Sequence, residues 1–519
     1  MRWCYYGCAK RSWHCALLNK YGRLQAISTR KLGNFSCSLL PASRQALSAQ
    51  QGKSDSQKDV TFNTTPKPIE SALNLLTLYH DSSETIMSSH NTYDTVVIGA
   101  GVAGLTTSKC LTMKGLSVLT LEEENGAGGL IKCAKIEGNL YHLIGGHVFN
   151  TKSSQVSDFF WNEVCDRSDF LEAKRNAIIR LSGKTVKYPI ERHLSELGDD
   201  TARSVISELL QLSTDTVNER VSFGDFLHAR FGPTLCRIYF QPYNQKIWGM
   251  NPFQMPLEWL DGKLPMPSVA EIIEANILND DETEMVHSSF FYPKYNGSQH
   301  IVECLSSGIN LLCNTPCRTI SYEGNNCIVV NGKYKCKSLV YTGSLRSLPT
   351  MLPPGSLSPS LATSLGELKS HGTTNLLCSS APSDASWEYI PSSEALPHRI
   401  IYTGNFSPNN TSSKLRSAGL TTCTVEFTGE LDRELAVKSA LSMEGITSVI
   451  SSHYRESTYV IQTNNTPKVV SQCKEILRTK NTFLCGRFAE WKYYNMDTAM
   501  EAAIKLSSEV YSVLKGQIK

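Results

Sequence analysis

The six residues Gly99-Ala100-Gly101-Val102-Ala103-Gly104 have a spacing with a definite chemical use. In Gly-x-Gly-x-x-Gly the first glycine permits a tight turn and the second lets a pyrophosphate approach the backbone. The third lets a helix pack close to a strand. The acid that completes such a site is Glu122, about 20 residues on, where a carboxylate accepts hydrogen bonds from a ribose hydroxyl. Glu122 directly follows an apolar run, whereas Glu123 and Glu124 read as a solvated acidic turn. A carboxylate at this position disfavours a 2′-phosphate, so the expected ligand is FAD or NAD rather than NADP.

The elements that must position these groups are legible around them. Thr95 to Ile98 is a short β-branched run, read as a buried parallel strand. Leu105 to Lys114 reads as a helix whose N-terminal N–H groups face the phosphates, and Gly115 ends it. Leu116 to Leu121 is the second strand. Just past the acid stands Gly128-Gly129. Flavoproteins of the amine-oxidase type carry a second glycine pair there, which tips the expected ligand to FAD. Farther on, Tyr141 to Asn150 reads as strand, glycine turn, strand, with His147 in a turn where backbone can lie flat against a ring. That makes His147 either a flavin neighbour or a structural histidine.

Ser154 to Val164 has a helical apolar pattern, and Ala177 to Ile190 reads as a hairpin turning at Ser182-Gly183-Lys184. Residues 195 to 250 are mainly helical and end in an aromatic-rich segment, Tyr239 to Gly249, broken by Pro242. The Gln, Asn and Lys between its aromatics suggest a cleft wall. From 290 to 345 strands return, with Asn331-Gly332 as a type I′ hairpin turn and Ser338 to Gly343 as another buried strand. Residues 370 to 470 read as an antiparallel sheet roofing a cleft, with strands at Thr374–Leu377, Arg399–Thr403, Thr421–Thr428 and Ser457–Ile461. A strand and turn at Thr482 to Arg487 and a helix from Thr498 to Leu514 close the chain, the helix N-terminus aimed at a flavin. The expected fold class is α/β, a Rossmann-like FAD-binding domain with inserted helical and antiparallel-sheet substrate domains. FAD-binding parts fall at 91–175, 281–345 and 476–519, a helical insertion at 176–280 and an antiparallel cap at 346–475.

Composition sets wide bounds. The chain has 519 residues and a net charge of +3, too small for its size to indicate nucleic acid or a membrane surface. No apolar run reaches the ~18 residues of a membrane span. Seventeen scattered cysteines without Cys-x-x-Cys pairs suggest reduced thiols in an intracellular protein. Residues 1 to 50 contain no Asp or Glu but several Arg and Lys, the composition of a mitochondrial transit peptide. The expected location is mitochondrial, or cytoplasmic if residues 1 to 90 are merely an unstructured leader.

Four segments together resemble the UDP-galactopyranose mutases, a flavoprotein group related to amine oxidases and protoporphyrinogen oxidases. They are Gly99-Ala-Gly-Val-Ala-Gly-Leu105, Gly145-Gly-His-Val-Phe-Asn-Thr151, Pro242-Tyr-Asn-Gln-Lys-Ile-Trp-Gly249 and Cys485-Gly-Arg-Phe-Ala-Glu-Trp-Lys-Tyr-Tyr-Asn-Met-Asp497. The resemblance implies that Gly99, Gly101, Gly104, Glu122, Gly128 and Gly129 hold FAD, with Gly146, Cys317, Gly486, Met496 and Asp497 completing the cofactor set. His147, Arg399, Arg487 and Tyr493 form the implied catalytic set. Tyr243 and Trp248 would line the uridine side, and Lys263, Arg399, Arg487, Tyr493 and Tyr494 the diphosphate side. A guanidinium suits that role because its fork pairs bidentately with phosphate oxygens. The chain departs from the pattern at Lys263, where the family has arginine, and at Asn495 and Asn296. The implied activity is flavin-mediated isomerisation of a nucleotide sugar or related diphosphate without net redox, with NAD(P)H a candidate reductant. The rival expectation is an FAD oxidoreductase of the amine-oxidase or protoporphyrinogen-oxidase type.

Overall fold

The computed structural model describes residues 91–212, 222–257, 267–278, 289–324 and 326–517. The leader and Lys263 lie outside them. The expected first strand runs Thr92–Ile98, and Val96 and Val97 have no exposed surface. Such a strand is covered on both faces, which is why its sequence is continuously apolar rather than alternating. It pairs in parallel with Val118–Leu121 on one side and with Tyr334–Tyr341 on the other. Leu311–Leu312 extends the sheet beyond Val118–Leu121, and Thr482–Leu484 pairs with Tyr334–Tyr341. Three separated pieces of chain therefore build one parallel sheet. Ile320–Glu323 and Cys327–Val330 add an antiparallel wing to it. At the hairpin Asn331 and Gly332 both have positive φ, 54° and 62°, as a type I′ turn requires.

Two helices cover one face of this sheet. Val102–Met113 begins at the glycine turn, and Met496–Leu514 packs beside it. Ala103 and Leu111 from the first meet Ala503, Leu506 and Val510 from the second over Val97, Val340 and Phe483. Each large aliphatic side chain so buried contributes about 1.5–3 kcal/mol. A helix absent from the sequence reading, Thr466–Arg478, places Val469, Val470, Cys473 and Leu477 in the core around Val96 and Leu339. It packs on the nucleotide-binding sheet, so the expected boundary at 475 cuts through one of that sheet's supports.

The second sheet has seven strands in the order Ile446–Val460, Ser370–Ser380, Thr421–Thr428, Arg399–Ile401, Trp387–Tyr389, Ala177–Leu181, Lys184–Lys187. The hairpin expected at 177–190 forms as Ala177–Leu181 and Lys184–Lys187 and is therefore part of this sheet, not of the helical insertion. It joins through a parallel pairing of Trp387 with Ala177, and the other pairings are antiparallel. The strand Ile446–Val460 is 15 residues long, where only its end was expected. Most of it is half-buried, so its polar composition concealed it.

Asp199–Leu212, Phe223–Leu235, Gln241–Trp248 and Val269–Leu278 make the helical insertion. Its break falls at Gly232 (φ 80°, ψ 162°), not at Pro242. Pro242 sits where the widened helical turn Cys236–Phe240 gives way to Gln241–Trp248, and the helix runs on through it. The second strand expected after the His147 turn shrinks to a single bridge between Phe149 and Phe291. The 13 cysteines among the described residues are all free thiols. Among the described residues no helix is long and apolar enough to cross a membrane.

Candidate functional site

A cavity of about 510 Å³ is lined by residues of both sheets. One group of lining residues is the expected nucleotide motif: Gly99, Gly101, Glu122 and Gly129. Gly99 has φ +96°, and a Cβ there would lie 2.5 Å from Thr342 Oγ1. A Cβ on Gly104 would lie 1.9 Å from the Gly99 carbonyl oxygen, so only glycine lets the helix start this close to the strand. Gly129 approaches Gly101 so nearly that its Cβ would be 3.2 Å from the Gly101 Cα. The two glycine motifs thus meet face to face and form a cradle that side chains would fill. Helix Val102–Met113 receives no side-chain cap at Gly101, and Val102 and Ala103 face the cavity. Uncapped N–H groups there suit phosphate oxygens.

Glu122 is 8% exposed. Its Oε2 accepts the Ala100 N–H at 2.6 Å and its Oε1 the Glu124 N–H at 3.0 Å. The carboxylate therefore ties the glycine turn to the acidic turn and retains lone pairs for a ribose. Cradle, uncapped helix and acid fit an adenine dinucleotide.

The second group of lining residues carries positive charge. Arg399 Nε donates to Glu426 Oε2 at 2.5 Å, and its Nη2 reaches the Tyr459 hydroxyl at 3.3 Å. Glu426 is fully buried, and its Oε1 lies 3.7 Å from His398 Nε2. Arg487 is fixed differently. Its Nη1 donates to the Thr458 carbonyl at 2.9 Å, and Nε donates to the Tyr494 carbonyl at 3.1 Å, with Nη2 donating to the same oxygen. Among the described residues it has no carboxylate partner. Its guanidinium lies 4.6 Å from the Tyr493 ring centre, and Tyr493 stacks on Tyr459 at 5.8 Å with 4° between planes.

His147 sits between these groups. Burial first, then nearby His142, Arg487 and Arg399, hold its imidazole down to about 3. It is neutral at physiological pH, and its buried Nε2 has no hydrogen-bond partner among the described residues. Such an orphaned atom suits a bound polar ring.

Of the expected site residues, Gly99, Gly101, Glu122, Gly129, Gly146, His147, Arg399, Gly486, Arg487, Tyr493, Tyr494 and Met496 line one cavity. Others do not. Gly104 and Gly128 act through packing, the latter 3.1 Å from Lys132 Cβ by its Cβ direction. Cys317 lies against the sheet core, its thiol pushed up to about 12 by burial. Asp497 is in the first turn of Met496–Leu514 but off the cavity wall, and burial raises its carboxyl.

Tyr243 and Trp248 stand one layer behind the wall. Tyr243 meets Tyr389 edge-on at 5.3 Å, and Trp248 meets Tyr459 and Tyr493 edge-on at 5.4 and 5.5 Å. They support the aromatic wall instead of forming it, because a helix packed on the sheet points its aromatics into the interface. Sequence reasoning missed Glu426, Arg455 and Tyr459, which come from strands whose side-chain facing depends on register.

Comparison with known proteins agrees with the nucleotide-binding fold. A family model for an NAD(P)-binding Rossmann-like domain matches residues 97–163. The chain is 25% identical over 273 residues to the UDP-galactopyranose mutase of Mycoplasma pneumoniae, covering 50% of this chain and 63% of that protein. It thus spans under two thirds of that relative's length. It is 40% identical over 60 residues, 12% of each chain, to the flavin-containing amine oxidase of Oncorhynchus mykiss. Its fold matches a crystal structure of reduced UDP-galactopyranose mutase with a TM-score of 0.72 at 19% identity, over 81% of this chain and 94% of the other.

Proposed function

We propose that this protein is an FAD-dependent enzyme that isomerises the sugar of a nucleotide diphosphate substrate. The observation that carries the reading is the placement of Arg399 and Arg487 on the same cavity as the dinucleotide cradle. The similarity to UDP-galactopyranose mutase in sequence and fold supports it, and the flavin-containing relative supports FAD as the dinucleotide.

Gly99, Gly101, Gly129 and Glu122 would hold the adenosine and pyrophosphate of FAD, and Gly146, His147 and Met496 would stand by its ring. When bound, FAD supplies a ring that can act as nucleophile or electron carrier in the cleft. The chain's residues do the rest. Arg399 and Arg487 bind a diphosphate and stabilise its charge as it departs from the sugar, in a cavity where water screens little. Glu426 fixes the Nε edge of Arg399, so the rest of the fork is presented to the cavity already oriented. Tyr459 and Tyr493 make a flat wall beside the two guanidinia. The neutral His147 offers one ring nitrogen without adding positive charge. The N-terminus of Met496–Leu514 favours negative charge nearby.

The test is to purify the full chain with FAD, reduce it with dithionite or NAD(P)H, and supply UDP-galactopyranose or UDP-galactofuranose. Interconversion of the two sugars with reductant needed only to prime the enzyme is the expected result. Stoichiometric consumption of an electron acceptor with an amine or other reduced substrate, and no sugar isomerisation, would replace this reading with an oxidase.

A further inference from the structure

The C-terminal end of the long strand Ile446–Val460 lines the cavity, and one of its residues there, Arg455, has no part in the function proposed above. Arg455 pairs with Glu124, across from the second sheet to the nucleotide-binding half. Lys132 reaches the same carboxylate at 2.5 Å. Burial acts to raise the Glu124 carboxyl, but the hydrogen bonds from Lys132 and Arg455 outweigh it and hold the group below its ordinary value, so it is ionised. Glu124 stands two residues past Glu122 and donates its N–H to the Glu122 carboxylate. Glu122, Glu124 and Arg455 all face the cavity.

The backbone that presents Arg455 is specially shaped. Thr373 lies opposite Arg455, whereas His371 lies opposite Tyr459. The roof strand therefore advances four residues while its partner advances two. The extra length is accommodated opposite Gly372, where a Cβ would lie 2.0 Å from the Arg455 carbonyl oxygen and 2.8 Å from that of Glu456. Such a bulge re-aims side chains. Consecutive residues Ser457, Thr458 and Tyr459 line the cavity after it, and the Thr458 carbonyl accepts the Arg487 Nη1 hydrogen bond. Arg455 is at the start of this bulge, over the ribose-binding turn, and Tyr459 at its end, beside Arg399.

We propose that the Arg455–Glu124 pair is a clasp that closes the adenosine end of the cavity, making Arg455 a cofactor-retention residue. The proposal rests on the FAD reading and goes beyond it: the roof sheet is tied to the acidic turn, and the dinucleotide leaves when that tie opens. An ion pair whose side chains are 35% and 31% exposed is partly screened by salt, so retention is salt-dependent.

The experiment follows FAD release from the full-length holoenzyme by the fluorescence of the freed flavin, at about 0.02 M and about 0.5 M salt. In the unsubstituted protein release accelerates with salt. In Arg455→Ala and in Glu124→Gln it is roughly fivefold faster at low salt and nearly independent of salt, and the double variant is no faster than either single one. Arg455→Lys retains most of the salt dependence. Unchanged rates in both single variants overturn the clasp. Acceleration in Arg455→Ala but not in Glu124→Gln also overturns it, since the arginine then acts on the cofactor without its partner. Far-UV circular dichroism checks that each variant is folded. A protein that purifies colourless and stays so with added FAD removes the cofactor reading itself, whereas a yellow protein with unchanged release rates removes only the clasp.

Discussion

Arg399 and Arg487 face one cavity but are held by different chemistry, and substitution separates their roles. Arg399 neutralises a fully buried carboxylate, Glu426. Removing it leaves that charge unpaired, so Arg399→Ala loses both turnover and about 3 kcal/mol of stability. Arg487 is held by two backbone carbonyls and a tyrosine face. Arg487→Ala therefore loses most turnover while stability falls by less, about 1–2 kcal/mol. Urea denaturation alongside turnover measures both, and both variants stay yellow. If Arg487→Ala isomerises sugar nucleotides at the full rate, its diphosphate role is wrong. Glu122→Ala removes the acceptor shared by the Ala100 and Glu124 N–H groups. It is expected to purify with much less than one flavin per chain, read from visible absorbance, and full occupancy would exclude Glu122 as the ribose acid.

Among the elements, the roof strand Ile446–Val460 depends on one small residue of its neighbour. A Cβ on Gly372 would lie 2.0 Å from the Arg455 carbonyl oxygen, and that backbone cannot swing aside as a flexible side chain would. Gly372→Ala is expected to destabilise the protein by about 2 kcal/mol, seen as a lower urea midpoint. An unchanged midpoint would mean that the bulge shifts freely. The strand also shows why sequence reading failed locally. Its residues Ser451-Ser452-His453-Tyr454-Arg455-Glu456-Ser457 lack apolar alternation, because none of them is fully buried and Arg455 and Ser457 line a polar cavity instead of a core. The helix Thr466–Arg478 was missed for another reason. It follows a polar turn and begins at a proline, which reads as loop until its apolar face is seen against the sheet.

Over the whole molecule, buried histidines make stability depend on pH. Burial holds His142 at about 4 and, with neighbouring charges, His147 at about 3, and it drives His398 well below the ordinary range. Each is depressed below its unfolded value near 6.5, so the unfolded chain binds more protons below that pH. Stability is therefore fully present above about pH 6.5 and falls as pH drops toward about 4. His142 alone, with no exposed surface, contributes on the order of 1 kcal/mol of loss between about pH 7 and about pH 5.5. Asp94 and Glu124, held low by their lysine and arginine partners, add to the loss at lower pH, while the raised Asp497 opposes it. Urea midpoints at the two pH values check the sign, and greater stability at the lower one would contradict it.

The sequence by itself determined the nucleotide-binding end, because that end is built from neighbours in the chain. A strand, a glycine turn, a helix and an acid fall within 31 residues, Thr92 to Glu122, and local geometry alone brings Gly99, Gly101 and Glu122 together. The arginine end was legible only through resemblance, since Arg399 and Arg487 are far apart in the chain and nothing local links them. Tertiary structure alone decided that Glu426 and Tyr459 stand against Arg399, that Tyr243 and Trp248 lie behind the wall, and that Arg455 reaches Glu124. Each of those contacts depends on strand register or on packing across the two sheets, and a shift of one residue in register would turn those side chains to the other face.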